Sequence, residues 1–393
     1  MAAETCPVCG GANTMGFVHR YRVPVHQNLV MADRAGALAV SRGELDMRVC
    51  EDCGFVFNRA FDLDRLSYGR DYDNTQSHSA FFDSYLDQLV AQMVEVHGVR
   101  NANVVEVGCG KGHFLRKLVD YPGAANRGFG FDPSYVGPDS DLDGRLSFRR
   151  CFYDAACGDV PVDVVLCRHV IEHVPDPAQL LRAVRAALAH SPHARVFFET
   201  PCVEWILRNR VVWDFFYEHC SLFSGACLRL AFESTGFTVE RVRHVFGGQY
   251  LWLEARPSTA APPARAIPAA SATALLAHDF GVDEQRLRHQ WATRLSGLQS
   301  QGKLALWGAG AKGVTFANLV DPDRGALDCV VDINPNKQGC FIPGTGHPIV
   351  APGALRARAV RNVILMNPNY RQENLQLLQA GGSDANLLDW SEQ

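Results

Sequence analysis

The chain has 393 residues, of which 47% are hydrophobic and 20% are charged, as in an ordinary globular protein with a sizeable core. Its 38 basic and 42 acidic side chains give a formal net charge of −4 without any basic block, which argues against a nucleic-acid binder. No apolar run is long enough to span a membrane, and no charged-then-apolar leader opens the sequence. We therefore expect a cytoplasmic protein of two or three domains.

Two pairs of cysteines frame the N-terminal part of the chain. Cys6 and Cys9 form one Cys-x-x-Cys-Gly knuckle, and Cys50 and Cys53 form the other. Four thiolates in this pattern can surround one tetrahedral zinc ion, whereas four unrelated buried cysteines are the plain structural alternative. Because all four ligand positions would be filled, the predicted zinc is structural, and residues 1–65 are predicted to form a zinc-binding domain.

A polar stretch that contains Tyr72 precedes a helix predicted from about Ala80 to His97. The stretch is equally compatible with a lid over a ligand site and with an ordinary connector.

The next motif combines a strand, a glycine turn and a helix. The apolar run Val104–Val107 predicts a buried strand, and Gly108, Gly110 and Gly112 follow at every second position before helical spacing resumes. Such a turn brings the backbone close to a nucleotide-like ligand. Glu106 stands two residues before the first glycine, where a carboxylate would repel a pyrophosphate but suits a cationic ligand. The motif therefore predicts S-adenosylmethionine as cofactor and methyl transfer as activity.

Alternating strand and helix patterns over residues 66–256 predict a class I, Rossmann-like methyltransferase domain with a seven-stranded sheet and an antiparallel edge hairpin. Side chains at the carboxyl ends of its strands are candidate cofactor contacts. Asp132 follows the second strand, roughly 20 residues after the glycine turn, where a carboxylate can bind ribose hydroxyls. Phe152, Tyr153 and Asp154 are placed at the adenine ring, and His169 follows the fourth strand.

A linker and a long helix are predicted over residues 257–300, and a second α/β unit over 301–393. This unit contains a Gly-x-Gly-x-x-Gly loop that begins with Gly308 and Gly310, and an acid, Asp332, follows roughly 20 residues later. Alone, that pattern predicts an NAD(P)-dependent oxidoreductase, which is the alternative from another class. Lys312 within the loop and Lys337 after it favour instead the diphosphate of a nucleotide-sugar.

Taken together, these motifs resemble the sugar C-methyltransferases of deoxysugar biosynthesis, which methylate a carbon next to the ketone of a nucleotide-linked sugar. The resemblance covers nearly the full length. It rests on the cysteine module, Glu106–Gly112, Phe216–His219, the C-terminal glycine loop and the later Asn369–Glu373. It implies zinc, S-adenosylmethionine and a nucleoside-diphosphate ketosugar held between two lobes, in natural-product, antibiotic or surface-sugar biosynthesis. We expect a monomer or homodimer without nucleic-acid or membrane partners.

Methylating a carbon next to a ketone requires a base for the α-proton and hydrogen-bond donors for the enolate oxygen. The resemblance implies His219 as the base, with Glu218 supporting it and Tyr72 reaching the site. Phe216 stands where the family has a tyrosine and cannot donate a hydrogen bond, so Tyr217 or Tyr72 is predicted to take that part, unless the substrate differs from the usual 4-keto sugar.

Several of these residues have a plainer interpretation. His173 is predicted to bind substrate, although its position at a helix start also suits capping or packing. His219 without the resemblance is equally an ordinary partly buried histidine. A methyltransferase of the same fold that acts on a non-sugar substrate, or on oxygen or nitrogen, is the alternative from the same class.

Overall fold

Three β-sheets succeed one another along the chain in a computed structural model, which describes residues 5–66, 78–160, 162–259 and 271–390. Tyr72, predicted to reach the site, lies outside the described residues. None of the described helices is long and apolar enough to cross a membrane.

The N-terminal sheet is antiparallel and brings the cysteine knuckles together. Its strand order is β1-β2-β3-β10, so its last strand comes from a distant part of the chain. Cys50 ends the second strand and pairs with Thr14, which places the second knuckle beside the first. The strands are β1 (Thr14–Pro24), β2 (Arg42–Cys50), β3 (Val56–Asn58) and β10 (Ser221–Leu222), and α1 (Arg34–Leu38) lies between β1 and β2.

The central sheet has the order β11-β12-β9-β8-β4-β5-β7-β6. Five neighbouring strands are parallel, and the β11–β12 hairpin adds the predicted antiparallel edge. The sheet has eight strands where seven were predicted, because a two-residue strand, too short to leave a sequence pattern, pairs with β7 at the other edge. The strands are β4 (Asn103–Val107), β5 (Arg127–Phe131), β6 (Ser140–Asp141), β7 (Leu146–Arg149), β8 (Val164–Arg168), β9 (Arg195–Pro201), β11 (Phe237–Val245) and β12 (Tyr250–Pro257).

Helices cover this sheet as an α/β fold requires. The Ser79 hydroxyl caps α2 by accepting the Phe82 N–H, and Asp176 caps α4 in the same way through Gln179 N–H. The helices are α2 (Ala80–Ala91), α3 (His113–Val119), α4 (Pro177–Ala187), α5 (Val203–Arg208) and α6 (Gly225–Ser234). The predicted α/β class is confirmed.

The C-terminal sheet is parallel throughout, with the order β15-β14-β13-β16-β17. A 29-residue helix precedes it and packs on the N-terminal sheet, where a Cβ at Gly281 would lie 2.6 Å from the Phe17 carbonyl oxygen. The elements are α7 (Ala272–Ser300), β13 (Lys303–Trp307), α8 (Ala311–Val320), β14 (Leu327–Val331), β15 (Ile349–Val350), α9 (Ala354–Ala357), β16 (Val360–Leu365), α10 (Arg371–Ala380) and β17 (Asn386–Asp389).

One hydrophobic core runs through the N-terminal sheet, residues 203–222, α7 and the C-terminal sheet. Trp213 lies at its centre, with its ring 5.5 Å from Trp291 and 5.2 Å from Phe316 between centroids. Burying a large aromatic side chain contributes roughly 2–3 kcal/mol, so these contacts fasten the three parts to one another. The predicted domain boundaries stay a prediction. Residues 203–222 fall within the predicted methyltransferase domain, yet most of their buried apolar side chains lie in the core shared with the N-terminal and C-terminal sheets.

Candidate active site

The first glycine loop joins β4 to α3 through left-handed backbone. Gly108, Gly110 and Gly112 have φ values of 67°, 53° and 71°, a region that favours glycine. A Cβ at Gly108 would lie 2.3 Å from Val170, and one at Gly112 would lie 2.4 Å from Phe148, whereas no neighbouring atom lies within 4 Å at Gly110. Packing therefore requires two of the glycines, and the backbone at the third is open to a ligand.

Glu106 is a buried acid on β4, two residues before this loop. Its side chain is 4% exposed, and its Oε2 has no hydrogen-bond partner among the described residues. Burial raises the pKa of the carboxyl to about 7, although Arg168 lowers it in part. An unpartnered buried oxygen is costly, and a cationic or hydrogen-donating ligand would relieve that cost. The ammonium and sulfonium charges of S-adenosylmethionine fit this position.

Asp132 follows β5 directly, as predicted, and shapes the loop from the neighbouring strand. Its Oδ2 accepts the Gly110 N–H at 2.8 Å, and its Oδ1 accepts the Ser134 N–H and hydroxyl at 2.8 and 2.6 Å. A carboxylate has further lone pairs, so these bonds leave room for the predicted ribose hydroxyls.

The predicted adenine contact is placed differently from expectation. Tyr153 is buried, its ring lies 4.9 Å from Phe131, and its hydroxyl has no partner in the described part of the chain. Asp154 accepts the Ala156 N–H and caps a short turn. The exposed aromatic ring of this stretch belongs to Phe152, which was predicted at the adenine ring together with Tyr153 and Asp154 and is 77% exposed. The sequence alone does not tell which of two adjacent aromatic rings faces the solvent.

His169 ends β8 in a strained conformation, with φ at +54°. Its Nδ1 lies 3.2 Å from Glu172 and its Nε2 lies 3.7 Å from Glu199. Burial lowers the pKa of the imidazole, but the carboxylates of Glu199 and Glu172 together outweigh that effect and raise the pKa to about 9. Glu199 is itself fully buried and is held by Arg168 at 2.6 Å and by the Tyr85 hydroxyl at 2.5 Å. His169 is therefore a fixed cation at neutral pH.

His173 and His219 face each other, with ring centroids 4.9 Å apart. Burial, followed by the neighbouring His173, lowers the pKa of His219 well below its usual value. The His219 imidazole makes no side-chain hydrogen bond to the part of the chain that the structure describes, and the Phe216 ring lies 4.1 Å away. A neutral imidazole without a partner is a competent general base.

Two other residues of the predicted catalytic set point away from this pair. Glu218 is fully buried, and its Oε2 accepts the backbone N–H of Gln27 at 2.7 Å. The Tyr217 hydroxyl accepts the Asp62 N–H at 2.9 Å and donates to the Asp62 carbonyl at 3.2 Å. Neither residue lines the cavity described below, so this placement gives no support to their predicted catalytic roles.

The second glycine loop has hydrogen bonds similar to those of the first, although its aspartate accepts from the residue after the first glycine and Asp132 accepts from the second residue after it. Asp332 Oδ2 accepts the Ala309 N–H and its Oδ1 accepts the Asn334 N–H, both at 2.8 Å. The Gly308 N–H bonds the Val331 carbonyl at 2.8 Å, as the Gly108 N–H bonds Phe131. The predicted strand–loop–helix arrangement is thus present twice in the chain.

The two lysines near this loop are in different situations. Lys312 donates to Asp214 Oδ2 at 2.6 Å and lies 5.4 Å from the centroid of the Trp205 ring. Lys337 is 6% exposed and donates to the Ala309 carbonyl at 3.1 Å, so it supports the loop from within. Asp214, which the sequence analysis missed, is a single acid in an apolar stretch, and that isolation was its one sequence signal.

A cavity of about 310 Å³ joins the central sheet to the second glycine loop. From the methyltransferase side it is lined by His169, His173, Phe216 and His219. From the C-terminal side it is lined by the glycine loop and both lysines, together with the aromatic residues Trp307 and Tyr370. The two sets of predicted substrate residues therefore share one space.

The four cysteines of the N-terminal knuckles also come together. All four are buried, and their sulfur atoms lie within 4.8 Å of one another. Cys6 and Cys53 are 3.6 Å apart, and Cys9 and Cys50 are 3.4 Å apart. Hydrogen bonding with Cys50 raises the pKa of Cys6, and hydrogen bonding with Cys53 lowers the pKa of Cys50 to about 2.

Two models of known protein families match separate parts of the chain. A methyltransferase domain model matches residues 78–242, and a C-methyltransferase C-terminal domain model matches residues 270–383. The chain is therefore an S-adenosylmethionine-dependent methyltransferase.

Two curated methyltransferases are similar to this chain, one over nearly its full length and one over part of it. C-methyltransferase NovU of Streptomyces niveus is 26% identical over 401 residues, which cover 96% of this chain and 94% of that protein. With the C-terminal domain match, this similarity confirms the resemblance to the sugar C-methyltransferases. An ubiquinone biosynthesis O-methyltransferase of Stutzerimonas stutzeri (strain A1501) is 35% identical over 122 residues, 29% of this chain and 51% of that protein. This chain thus spans about half the length of that relative.

Among solved structures, a Burkholderia thailandensis 1,6-didemethyltoxoflavin-N1-methyltransferase is 17% identical and covers 46% of this chain and 82% of its own. Its TM-score of 0.35 is too low to support an argument.

Proposed function

We propose that this methyltransferase transfers a methyl group to a carbon next to the ketone of a nucleotide-activated deoxysugar. The observation that carries the proposal is the shared cavity, which His173 and His219 line together with the Gly308–Gly313 loop and Lys312. A nucleoside-diphosphate ketosugar has a reacting ring and a charged diphosphate within one molecule. The cavity offers the imidazole of His219 to the reacting ring. It offers the backbone amides of the glycine loop and the ammonium of Lys312 to the diphosphate.

His219 is the proposed base. Its lowered pKa keeps the imidazole neutral, so it can take the α-proton and leave an enolate. When bound, S-adenosylmethionine supplies an electrophilic methyl group. The enolate α-carbon would take the methyl group as the sulfur–methyl bond breaks and S-adenosylhomocysteine leaves, and the proton stays on His219 until solvent takes it. Glu106, the first glycine loop and Asp132 are the proposed cofactor contacts, and exposed Phe152 suits the adenine ring better than buried Tyr153 does.

The enolate oxygen needs a hydrogen-bond donor, which Phe216 cannot be. Several described residues that line the cavity carry a hydrogen-bond donor, among them His169, His173, Tyr250 and Lys312. His169 carries a proton at neutral pH, since its pKa is about 9, and it therefore suits a developing negative charge. The part predicted for Tyr72 stays a prediction.

We also propose that the four cysteines hold one structural zinc ion. Four sulfurs at about 2.3 Å from a tetrahedral zinc lie about 3.8 Å from one another. The measured separations of 3.4 and 3.6 Å between two cysteine pairs are close to that value. With all four positions filled, such a site has no open position for a reacting group.

The decisive experiment is a mass-spectrometric screen of methyl transfer from S-adenosylmethionine to a panel of nucleoside-diphosphate 4-keto sugars, run in deuterated water. We expect a mass gain of one methyl group, and deuterium at the α-carbon of substrate incubated without cofactor. Methylation of oxygen, nitrogen or a non-sugar acceptor would overturn the substrate proposal. Calorimetry with NAD(P) tests the oxidoreductase alternative, which tight binding at the Gly308–Gly313 loop would favour.

A further inference from the structure

The segment that carries His219 is held largely by residues 5–66, which contain the cysteine knuckles and strands β1 to β3 and are called the N-terminal module below. Arg20, on β1, reaches into this segment and is 4% exposed. Its two terminal nitrogens donate to the carbonyls of Val212 at 2.7 Å and Phe215 at 2.9 Å. Its charge is balanced by Glu284 of α7 at 3.0 Å. One buried guanidinium therefore fixes the backbone just before the catalytic histidine.

Two further bonds hold the residues next to His219. Glu218 accepts the Gln27 N–H, and the Tyr217 hydroxyl exchanges hydrogen bonds with the Asp62 backbone. The fit at Tyr217 is close, since a Cβ at Gly43 would lie 2.2 Å from its ring. Both side chains bind the N-terminal module. The His219 imidazole therefore has no side-chain hydrogen-bond partner in the described part of the chain, although its ring contacts His173 and Phe216.

The backbone after His219 is fastened in the same way. The Asn58 N–H donates to the Cys220 carbonyl at 2.9 Å, and β10 pairs with β3 through Ser221 with Phe57 and Leu222 with Val56. The second cysteine knuckle immediately precedes β3, so the order of the knuckle and the position of this strand are coupled.

We propose that the N-terminal module positions the catalytic histidine, with Arg20 as a positioning residue and Glu218 as an anchor to Gln27 rather than a partner of the His219 imidazole. The inference rests on the proposed role of His219 as base. A base must stand within hydrogen-bond reach of the proton it removes, and a misplacement of about 1 Å can cost roughly a hundredfold in rate. Removing Arg20 would leave two buried carbonyls without their donor and Glu284 with Arg288, at 3.8 Å, as its remaining ion-pair partner among the described residues.

Hydrogen–deuterium exchange of the full-length protein, read by mass spectrometry over residues 212–222, tests this directly. In Arg20→Met we expect exchange there to rise roughly tenfold or more, because hydrogen bonds from a charged donor are lost. Arg185→Met is the matched control, since Arg185 also donates to two backbone carbonyls, those of Gly236 and Ser258, away from this segment. It should leave the exchange of residues 212–222 unchanged.

A second pair of variants addresses Glu218. Glu218→Gln keeps an oxygen that can accept the Gln27 N–H and should preserve the protection of residues 212–222, whereas Glu218→Leu should lose it. Arg20→Lys, which keeps the charge but not the two-carbonyl fork, should fall between wild type and Arg20→Met. Calorimetry with S-adenosylhomocysteine checks the fold, and its affinity should stay within about twofold because Arg20 lies apart from the first glycine loop.

The result in favour is faster exchange confined to residues 212–222 in Arg20→Met, with kcat lowered about a hundredfold and KM changed much less. Unchanged exchange in that segment, or an equal effect of Arg185→Met, overturns the proposal. Equal protection in Glu218→Gln and Glu218→Leu removes Glu218 as an anchor. Exchange and cofactor affinity need no substrate, so failure of the sugar proposal would leave these readings unaffected.

Discussion

Replacing Glu106 with glutamine is expected to stabilise the cofactor-free protein while it weakens cofactor binding. The side chain is 4% exposed, and burial raises its pKa from 4.5 to about 7. Because the folded pKa lies above the unfolded value, the carboxylate destabilises the fold progressively from pH 4.5 upward, and the cost is complete above pH 7. At about 1.4 kcal/mol per pH unit, that cost is ~3 kcal/mol. Glutamine keeps the shape and removes the charge.

Thermal unfolding at pH 5 and pH 8 without cofactor measures this cost. With roughly 2–4 °C per kcal/mol for a domain of about 200 residues, the Glu106→Gln midpoint should exceed wild type by ~6–12 °C at pH 8 and nearly coincide with it at pH 5. Glu199→Gln is the opposite control, because Arg168 holds the pKa of Glu199 at about 2, against the effect of burial, and its loss should destabilise at pH 8. Calorimetry should show S-adenosylhomocysteine binding weakened about tenfold or more in Glu106→Gln.

Two results would refute this reasoning about Glu106. The first is a difference in unfolding midpoint between variant and wild type that is the same at both pH values, because a shift that does not depend on pH cannot come from the ionisation of Glu106. The second is unchanged cofactor affinity in Glu106→Gln, which would mean that the unpartnered oxygen does not face the ligand.

Four further predictions concern the cavity and the cysteine cluster. His219→Asn should lower kcat about 10²- to 10⁴-fold with S-adenosylhomocysteine affinity unchanged in calorimetry, and near-normal turnover would exclude it as base. Lys312→Met should raise KM for a nucleoside-diphosphate substrate about tenfold or more with a smaller change in kcat, and the reverse pattern in steady-state kinetics would contradict the diphosphate assignment. Cys53→Ser should lose one zinc per chain in elemental analysis and unfold at lower temperature; retention of the metal would contradict the ligand set. The raised pKa of His169 stabilises the fold fully below pH 6.5, and this contribution is lost through pH 9, so thermal scans of His169→Asn should lack that alkaline decline.

The sequence predicted best where a local pattern decides the structure. Each cysteine knuckle and each strand–glycine–helix unit is specified within a few residues, and Asp132 and Asp332 are placed by the strand that precedes them. Side-chain direction in the irregular segment around His219 was beyond reach, because Tyr217 and Glu218 lie in a turn, where no sequence period fixes the direction of a side chain. Glu218 and Tyr217 thus face the N-terminal module while His219 faces the cavity.

Pairing between distant segments was equally inaccessible. The two residues of β10 join the N-terminal sheet across more than 150 positions, and a pair that short has no periodicity. The surroundings of a charged side chain were inaccessible for the same reason. The sequence shows that Lys337 is a cation but not whether its ammonium faces a ligand or supports a loop. Here its ammonium is bonded to the Ala309 carbonyl within the protein.

The two glycine loops have similar backbone hydrogen bonds to a strand carbonyl and an aspartate, so we look for their selectivity in the side chains around them. Two residues before its first glycine, the first loop has Glu106, whereas the second has Leu306, which is fully buried. The second loop instead contains Lys312, whose ammonium reaches the cavity wall beside Asp214. A buried carboxylate favours a cationic ligand, and a lysine in the first turn of a helix favours an anionic one, with Asp214 offsetting part of that charge. Charge alone would therefore send S-adenosylmethionine to the first loop and a diphosphate to the second, with the His173–His219 pair on the wall of the cavity that the second loop lines.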